Sequence, residues 1–364
     1  MNQSDADRRT LLKSAGLAAL GAVVGLPHSV RGAQAPERSP QQVASSQRRL
    51  AKPNISPARL IRTTVGLRPA RTGGFRVEAV KFDAMTVVHN YGHGGDGFAL
   101  SWGTAQLAVQ EVMKTSSQRC AVLGCGTVGL ATARLLQQRG FDVTIYAKEL
   151  PPETTSSRAL AMWGPIAGDP RLLDAARFAH RHFQTLVGDY YGVRWVERYS
   201  RPDDLLDELF QYVDLQEVRA NLHPFPIKTS VLRWMGLLIE PPIYLNALTR
   251  DFQLAGGRIV VRDFANLQSV LALPEPVVVN CSGLGSRTLF DDENTYPRKG
   301  QLLVFLPQPE VDYELEFMDL VSRKDGLVLG GGGGGNPNDF SLEPNEEAGR
   351  QSMARAMRFF DAMR

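Results

Sequence analysis

Two glycine-rich segments contain the residue types most suited to chemistry. Residues 89–97 read HNYGHGGDG, and residues 124–129 read GCGTVG. The second segment has the GxGxxG spacing of a turn whose backbone N–H groups hold a diphosphate at the start of a helix. It therefore predicts a dinucleotide site formed by Gly124, Cys125, Gly126, Thr127, Val128 and Gly129.

The residues around the second segment fit this interpretation. An apolar run at 120–123 precedes the turn, a helical pattern at 128–139 follows it, and a second apolar run occupies 143–146. This order predicts a β-turn-α-β unit of the Rossmann type. An acid that binds ribose is expected just after the second strand, where Lys148 and Glu149 stand. Either Glu149 takes that role, or Lys148 approaches a phosphate instead.

The first segment has four glycines in nine residues, which allow the main chain to lie against a flat ring or a substrate. Residues 100–113 after it have helical spacing. His89 and His93 suggest a metal, but no carboxylate or cysteine completes a site at suitable spacing, so no metal is predicted. The three cysteines of the chain are too few and too scattered for a disulfide framework, and we expect buried thiols at Cys120, Cys125 and Cys281.

Together these segments resemble the D-amino-acid oxidase family, which carries both motifs in the opposite order. Further similar stretches are PPETTSS at 151–157, IEPPIYL at 239–245, NCSG at 280–283 and KGQ at 299–301. The sequence thus resembles a circular permutant of that family. The resemblance implies an α/β fold, with a Rossmann-like FAD-binding domain and an interleaved mixed-sheet substrate domain, and FAD as the cofactor.

The resemblance also implies roles for single residues. Arg68 takes the substrate carboxylate, which a guanidinium matches in geometry and charge, and Gly95 presents its carbonyl oxygen to the substrate amine. Asp319 stands where the family has a substrate-facing tyrosine, so neutral or basic D-amino acids are expected over D-aspartate and D-glutamate. The other implied FAD contacts are Gly94, Gly95, Asp96, Gly97, Phe98, Ala99, Lys148, Thr154, Thr155, Ser156, Ala161, Met162 and Phe264.

The reaction that the resemblance implies is oxidation of a D-amino acid to an imino acid. The imino acid hydrolyses to a 2-oxo acid and ammonia, and oxygen takes the electrons from the reduced flavin. The cofactor accepts the hydride, so no acid–base pair of side chains is required. Leu160, which is larger than the usual residue near the flavin, and Asp319 are departures from the family. Two alternatives therefore stay open: a flavin dehydrogenase with another electron acceptor, and a secreted flavin-binding protein with little activity.

The N-terminal residues have the pattern of a twin-arginine export signal. Arg8 and Arg9 precede an apolar stretch at 15–26, and small residues read AQA at 33–35. A membrane span needs about 20 apolar residues, so no stable span is predicted. We expect export in the folded state by the twin-arginine (Tat) machinery to the periplasm or the exterior. The net charge of +3 gives no indication of a nucleic-acid partner.

Besides the export machinery, the expected partners are small molecules, namely a D-amino acid and oxygen.

The sequence predicts an order of segments in which each of the two substructures is formed by separate stretches of the chain. The predicted segments are a signal peptide at 1–35, a linker at 36–57, a permuted flavin and substrate segment at 58–116, the FAD-binding β-α-β core at 117–170, mostly substrate domain at 171–240, a return to the FAD domain at 241–290, the substrate-domain sheet at 291–335 and a C-terminal helix at 336–364.

Overall fold

The helices and strands were obtained from a computed structural model, which describes residues 41–42, 49–163, 170–202, 214–332 and 336–364. The α-helices of this part of the chain are α1 Gly97–Val112, α2 Thr127–Gln138, α3 Pro170–Thr185, α4 Pro241–Leu254, α5 Leu267–Leu271, α6 Ser286–Leu289 and α7 Glu346–Asp361. The strands are β1 Gln41–Gln42, β2 Leu60–Arg71, β3 Arg76–Phe82, β4 Met85–Tyr91, β5 Arg119–Leu123, β6 Asp142–Ala147, β7 Val193–Ser200, β8 Gln216–Val218, β9 Val231–Ile239, β10 Arg258–Val261, β11 Val277–Asn280, β12 Thr295–Phe305, β13 Tyr313–Leu315, β14 Leu320–Arg323 and β15 Gly326–Gly330. The predicted export signal lies outside the described residues.

A six-stranded sheet carries the predicted nucleotide turn. Its strand order is β10-β6-β5-β11-β4-β3, and all neighbouring pairs are parallel except the β3–β4 hairpin. The central strand β11 is apolar and buried along Val277, Val278 and Val279, as expected of a parallel strand covered on both faces. On one side, α1 packs against α2 and α3. This sheet is the Rossmann-like part of an α/β fold.

The strand β4 shows how the residues ahead of the nucleotide turn enter this sheet. It lies parallel to β11, with Val88 opposite Val279. The preceding strand β2 joins the other sheet, where Arg68 pairs with Arg298 of β12. The segment predicted at 58–116 therefore contributes to both substructures.

A nine-stranded mixed sheet forms the second substructure, in the order β1-β8-β9-β7-β13-β14-β15-β12-β2. Side chains alternate between the two faces of each strand, so the register assigns residues to faces. On the back face, Leu303, Leu327 and Leu329 pack with Ala356 and Phe360 of α7. On what we call the front face lie Arg68, Gly300, Leu302, Val304, Val321, Val328 and Gly330.

The end of the predicted linker differs from the expectation, because it packs on the back-face core. Leu50 and Ile55 are buried in the same cluster as α7. The side chain of Gln308 accepts a hydrogen bond from the N–H of Asn54 (2.7 Å) and donates to its carbonyl oxygen (2.9 Å). Two apolar anchors and a paired backbone thus fix residues 50–55, although their composition is that of a linker.

A buried carboxylate joins the two sheets. Asp292 accepts hydrogen bonds from Tyr91 Oη of β4 (2.6 Å) and from Arg71 Nε of β2 (2.8 Å). Burial alone would raise the pKa of Asp292, but these two donors outweigh that effect and lower it to about 2. The charged carboxylate is therefore the stable form throughout the neutral range.

Among the described residues, no helix has both the length and the apolar character needed to cross a membrane.

Candidate functional site

In the turn between β5 and α2, steric contacts exclude a side chain at each of the three motif glycines. Gly124 has φ +106, and a Cβ there would lie 2.6 Å from the carbonyl oxygen of Cys281. A Cβ at Gly126 would lie 2.8 Å from Ser156 Oγ, and one at Gly129 would overlap the carbonyl oxygen of Gly124. The glycines let the turn lie close to the neighbouring main chain and the Ser156 hydroxyl.

The first residue of α2 presents polar groups that suit an anion. The N–H of Thr127 donates to Ser156 Oγ at 3.0 Å. The Thr127 hydroxyl oxygen is buried and has no hydrogen-bond partner within the described part of the chain. In the described ranges, no side chain caps the helix at Gly126. Free N–H groups at a helix N-terminus favour a phosphate, so this arrangement fits the diphosphate of a dinucleotide.

A second helix begins beside this turn. A Cβ on Gly97, the first residue of α1, would lie 3.9 Å from Val128 Cγ2 and 4.0 Å from Thr127 Cγ2. Phe98 and Ala99 in the same turn of α1 are buried. Two helix N-termini therefore converge, and their dipoles add to the local preference for negative charge.

The loop before α1 is held against strand β2. The N–H of Gly94 donates to the Pro69 carbonyl oxygen (2.8 Å), and Arg298 Nη1 donates to the Gly94 carbonyl oxygen (3.1 Å). Gly94 has φ +68 and Gly95 has φ +141, which few other residues adopt. A Cβ at Gly95 would lie 3.4 Å from Arg68 Cδ. The loop thus connects the start of α1 with the Arg68 side chain.

Both histidines of this segment are buried and paired with polar groups. Nδ1 of His89 contacts the Asn280 amide nitrogen at 3.2 Å, and Nε2 of His93 contacts Thr104 Oγ1 at 3.0 Å. Burial lowers the pKa of each imidazole to about 4, so both are neutral at pH 7. The described residues contain no group of three His, Cys, Asp or Glu side chains that is arranged to hold a metal ion.

Arg68 lies on the front face, above Gly300. A Cβ at Gly300 would lie 3.3 Å from Arg68 Nε, so the glycine provides room for the guanidinium. The guanidinium donates to the carbonyl oxygens of Arg298 (3.3 Å) and Lys299 (3.4 Å). Its Nη1 has no hydrogen bond to any described residue. Burial and the neighbouring Arg298 lower the pKa of Arg68, while Asp319 raises it; a guanidinium remains charged nevertheless.

Asp319 lies in the connection between β13 and β14, with φ +49. A Cβ on Gly330 would lie 2.6 Å from Asp319 Cβ, so only glycine fits under this side chain. Burial raises the pKa of the Asp319 carboxyl group, and attraction to Arg68 opposes that rise. Arg68 and Asp319 therefore face the same region, and their roles toward a substrate stay a prediction.

Leu160 packs on the front face rather than standing free near the nucleotide turn. It contacts the cluster of Leu302, Val304 and Val328 and also the cluster that contains Val196 and Val321. Its side chain thus serves as apolar covering for the sheet beside the candidate site.

The predicted FAD contacts after β6 differ in burial and in hydrogen-bond partners. Thr154 is buried and exchanges a hydrogen bond with Ser157, whereas Ser156 contacts α2. Lys148 is exposed and forms an ion pair with Asp263 at 3.0 Å, and Glu149 is exposed beside it.

Five predicted FAD contacts remain, of which Ala161 and Met162 lie on the substrate-domain side. Ala161 accepts a backbone hydrogen bond from Ile239 (3.0 Å), and Met162 packs on the cluster of Val196, Leu238 and Val321. Phe264 packs edge to face on Tyr146, with ring centroids 5.9 Å apart. Thr155 opens the short turn next to Gly66, and Cys125 is buried under the glycine turn.

All three cysteines are free thiols. Cys120 and Cys125 are buried and Cys281 is half-buried. Burial raises the pKa of Cys125 and of Cys281 to about 12. These thiols are therefore protonated and unreactive at neutral pH.

The sequence reasoning missed Arg298 and the pair Gly300 and Gly330. Arg298 holds the glycine loop, and the two glycines make space for Arg68 and Asp319. The KGQ stretch belongs to the family resemblance, but the residues next to it in sequence do not indicate which side chain lies over its glycine. That information depends on the pairing of β12 with β2 and β15.

Comparison with known proteins assigns the family. The family model described as FAD dependent oxidoreductase matches residues 119–364. The match covers more than half of the chain, so this protein belongs to that family, and it is an oxidoreductase that uses FAD. The matched range begins at β5 and leaves out β2, β3, β4 and α1.

Curated relatives carry related names. The D-amino-acid oxidase of Dictyostelium discoideum is 28% identical over 241 residues, which are 62% of this chain and 68% of the relative. The D-amino-acid oxidase of Rubrobacter xylanophilus is 31% identical over 194 residues, 51% of this chain and 58% of the relative. Human D-aspartate oxidase is 28% identical over 266 residues, 65% and 74% of the two chains.

Solved structures share the fold. Glycine oxidase from Bacillus cereus ATCC 14579 has a TM-score of 0.56 at 17% identity, covering 67% of this chain and 78% of that chain. L-amino acid deaminase from Proteus vulgaris, with its specific insertion deleted, has a TM-score of 0.51 at 16% identity, covering 67% and 74%. At these identities the likeness concerns the fold alone.

Proposed function

We propose that this protein oxidises D-amino acids to 2-oxo acids, with release of ammonia and hydrogen peroxide. The observation that carries the proposal is the position of Arg68. Its guanidinium lies next to Gly95, whose loop leads into α1. The start of α1 lies beside the start of α2. A carboxylate anchor beside a dinucleotide site is the arrangement that flavin oxidation of an amino acid requires.

The residues that fit FAD are those of the glycine turn, together with Ser156 and the first turn of α1. Bound there, FAD supplies the hydride acceptor. Arg68 binds the substrate carboxylate through N–H groups that no described residue uses, and the Gly95 carbonyl oxygen accepts from the substrate amine. Two fixed points on the same carbon atom orient its C–H bond, which is the main contribution of the protein to the rate.

The names of the relatives support this choice of substrate class. D-amino-acid oxidases and a D-aspartate oxidase are among the curated relatives. Oxygen as the electron acceptor is part of the same proposal.

The test uses purified protein that retains its flavin. D-amino acids, their L-enantiomers and glycine are added without oxygen, and bleaching of the flavin absorbance is recorded. Peroxide is then measured in air. Bleaching by D-amino acids together with peroxide formation is the expected result. Bleaching without peroxide would instead indicate a dehydrogenase, and bleaching by L-enantiomers alone would overturn the proposed stereochemistry. A flavin that no amino acid bleaches would favour a binding protein with little activity.

We further propose that the protein is exported after folding. The support is the order of Arg8, Arg9, the apolar stretch at 15–26 and the small residues at 33–35. Changing both arginines to lysine should retain the protein in the cytoplasm, as measured by cell fractionation. Unchanged export of that variant would exclude the twin-arginine route.

A further inference from the structure

The front face of the nine-stranded sheet carries two opposite charges that are not joined in an ion pair. Arg68 lies over Gly300, and Asp319 lies over Gly330. Among the described residues no ion pair within 4.0 Å links them, yet each is in the electrostatic field of the other.

The register of the sheet gives the distance between these two places. Leu302 of β12 pairs with Gly330 of β15, so Gly300 is the diagonal neighbour two residues along. Such neighbours are about 7 to 8 Å apart. Arg68 and Asp319 thus stand over diagonal positions of one face, close enough for a single small molecule to contact both.

Asp319 is held in an unusual way for an acid. Its left-handed backbone is a conformation that non-glycine residues rarely adopt, and Gly330 makes room for its side chain. The carboxylate accepts no hydrogen bond from a described residue, and Asp319 is partly exposed to solvent while Glu316, Phe317 and Met318 before it are half-buried. Its one electrostatic partner among the described residues is Arg68, which forms no ion pair with it, so a cationic group of a ligand can bind there.

The α-ammonium of an amino acid is not the group that this carboxylate fits best. It is attached to the same carbon as the carboxylate that Arg68 binds, so it stays near Arg68 and Gly95. A positive group at the end of a side chain extends further from that carbon. It can therefore reach across to the place above Gly330.

We propose that Asp319 binds the cationic side chain of the substrate, so that the enzyme prefers basic D-amino acids such as D-lysine, D-ornithine and D-arginine. This inference rests on the proposed function, because Arg68 must hold the α-carboxylate. It names the specificity-determining residue and a narrower class of substrate. Opposite charges at the two ends of the site match the two charged ends of such a molecule.

The first experiment compares D-lysine with D-norleucine, which differ by the terminal ammonium group. In the parent enzyme we expect a clearly higher kcat/KM for D-lysine. Asp319→Asn should lower kcat/KM for D-lysine about 30-fold, mainly through KM, and change that for D-norleucine less than about threefold. Asp83→Asn is the matched control, because Asp83 is exposed and has a similar φ of +48 in the β3–β4 turn. Equal loss for both substrates, or no loss for either, would overturn the inference.

A binding experiment separates this inference from the proposed function. 6-Aminohexanoate and hexanoate have no α-amine to be oxidised, and their binding is followed by the flavin absorbance spectrum. Tighter binding of 6-aminohexanoate, abolished by Asp319→Asn, supports the inference even if no D-amino acid is turned over. Equal binding of the two ligands overturns the inference even if D-amino acids are oxidised.

Discussion

Arg68 combines partial burial with N–H groups that no described residue uses. Two of its hydrogen bonds go to main-chain oxygen atoms of β12, which fix the direction of the side chain without neutralising its charge. Gly95 and Gly300 leave the space around it open. A side chain that is oriented but not neutralised is suited to bind a carboxylate.

Arg68→Ala should therefore lower catalytic efficiency with D-amino acids about 30-fold to several thousand-fold, which corresponds to about 2 to 5 kcal/mol. The FAD content should stay the same, because the glycine turn is separate from this side chain. The measurement is kcat/KM with flavin absorbance as the check on loading. Arg62→Ala on the same strand is the control, since Arg62 is exposed and pairs with Asp325. Parent-like activity of Arg68→Ala would show that the substrate site lies elsewhere.

The residues of the site were predictable to different degrees. The GxGxxG turn is defined by neighbours in sequence, so Gly124, Gly126 and Gly129 could be assigned from spacing. Arg68 and Asp319 could be assigned through the family resemblance. Arg298 could not, because its contact with Gly94 joins residues 204 positions apart and leaves no local signal.

At the scale of elements, the packing of α1 on α3 depends on a glycine inside a helix. A Cβ on Gly103 would overlap the main chain of Ala175. Gly349 in α7 is a contrasting case, because a Cβ there would meet the end of the Gln301 side chain at 3.0 Å. Main chain cannot move aside as a flexible side chain can.

Gly103→Ala should destabilise the protein by about 1 to 3 kcal/mol, despite the higher helix propensity of alanine. Gly349→Ala should change the free energy of unfolding by less than about 1 kcal/mol. Urea unfolding of the two variants provides the comparison. Equal free energies of unfolding for the two variants would mean that α1 and α3 can move apart without destabilising the protein.

Asp292 links the elements of the two sheets, and its effect depends on pH. The folded-state pKa of about 2 lies below the ordinary value of 3.8. The stabilisation is therefore complete above pH 4 and is lost as the pH falls toward 2. Asp292→Asn should reduce the free energy of unfolding by about 2 to 4 kcal/mol at pH 7, and the difference from the parent should shrink at pH 3. A difference that is constant over this range would contradict the assignment.

The elements were also predictable to different degrees. The sequence predicted strands at β5 and β6, because their runs are short, apolar and flanked by turn residues. It placed the start of α1 at residue 100, whereas the helix begins at Gly97, since glycines indicate loops unless tertiary contacts hold them. Strand β2 carries mixed polarity and pairs with a strand more than 200 residues later, so no local pattern identified it.

At the scale of the whole molecule, the beginning and the end of the described chain lie together. Lys52 Nζ donates to the Asp361 carbonyl oxygen (3.4 Å), and Tyr313 Oη lies 2.8 Å from the Ala51 carbonyl oxygen and 3.9 Å from Met363 Sδ. A circular permutant requires close ends, so this neighbourhood meets one requirement of the predicted permutation, which itself stays a prediction.

Joining Arg364 to the segment near residue 50 by a short linker, and opening the chain between Ser117 and Cys120, should give a protein that still binds FAD. The new ends follow α1 and lie at the start of β5, whose first residue is Arg119. Flavin absorbance of the purified rearranged protein is the measurement. A folded, rearranged protein without flavin would count against a common scaffold.

The position of β4 has a consequence for synthesis on the ribosome. Val88 of β4 can pair with Val279 only after Val279 has been synthesised. Arg68 of β2 likewise pairs with Arg298, which is synthesised 230 residues later. At about 5 to 20 residues per second, β2 remains without β12, and the β3–β4 hairpin remains without β11, for about 10 to 50 seconds. The six-stranded sheet is complete only after β11 has emerged, and the nine-stranded sheet only after β12 and β15 have emerged. Cofactor loading must therefore follow most of translation, and β2 together with the β11-facing edge of β4 is the part of the nascent chain that most needs protection from aggregation.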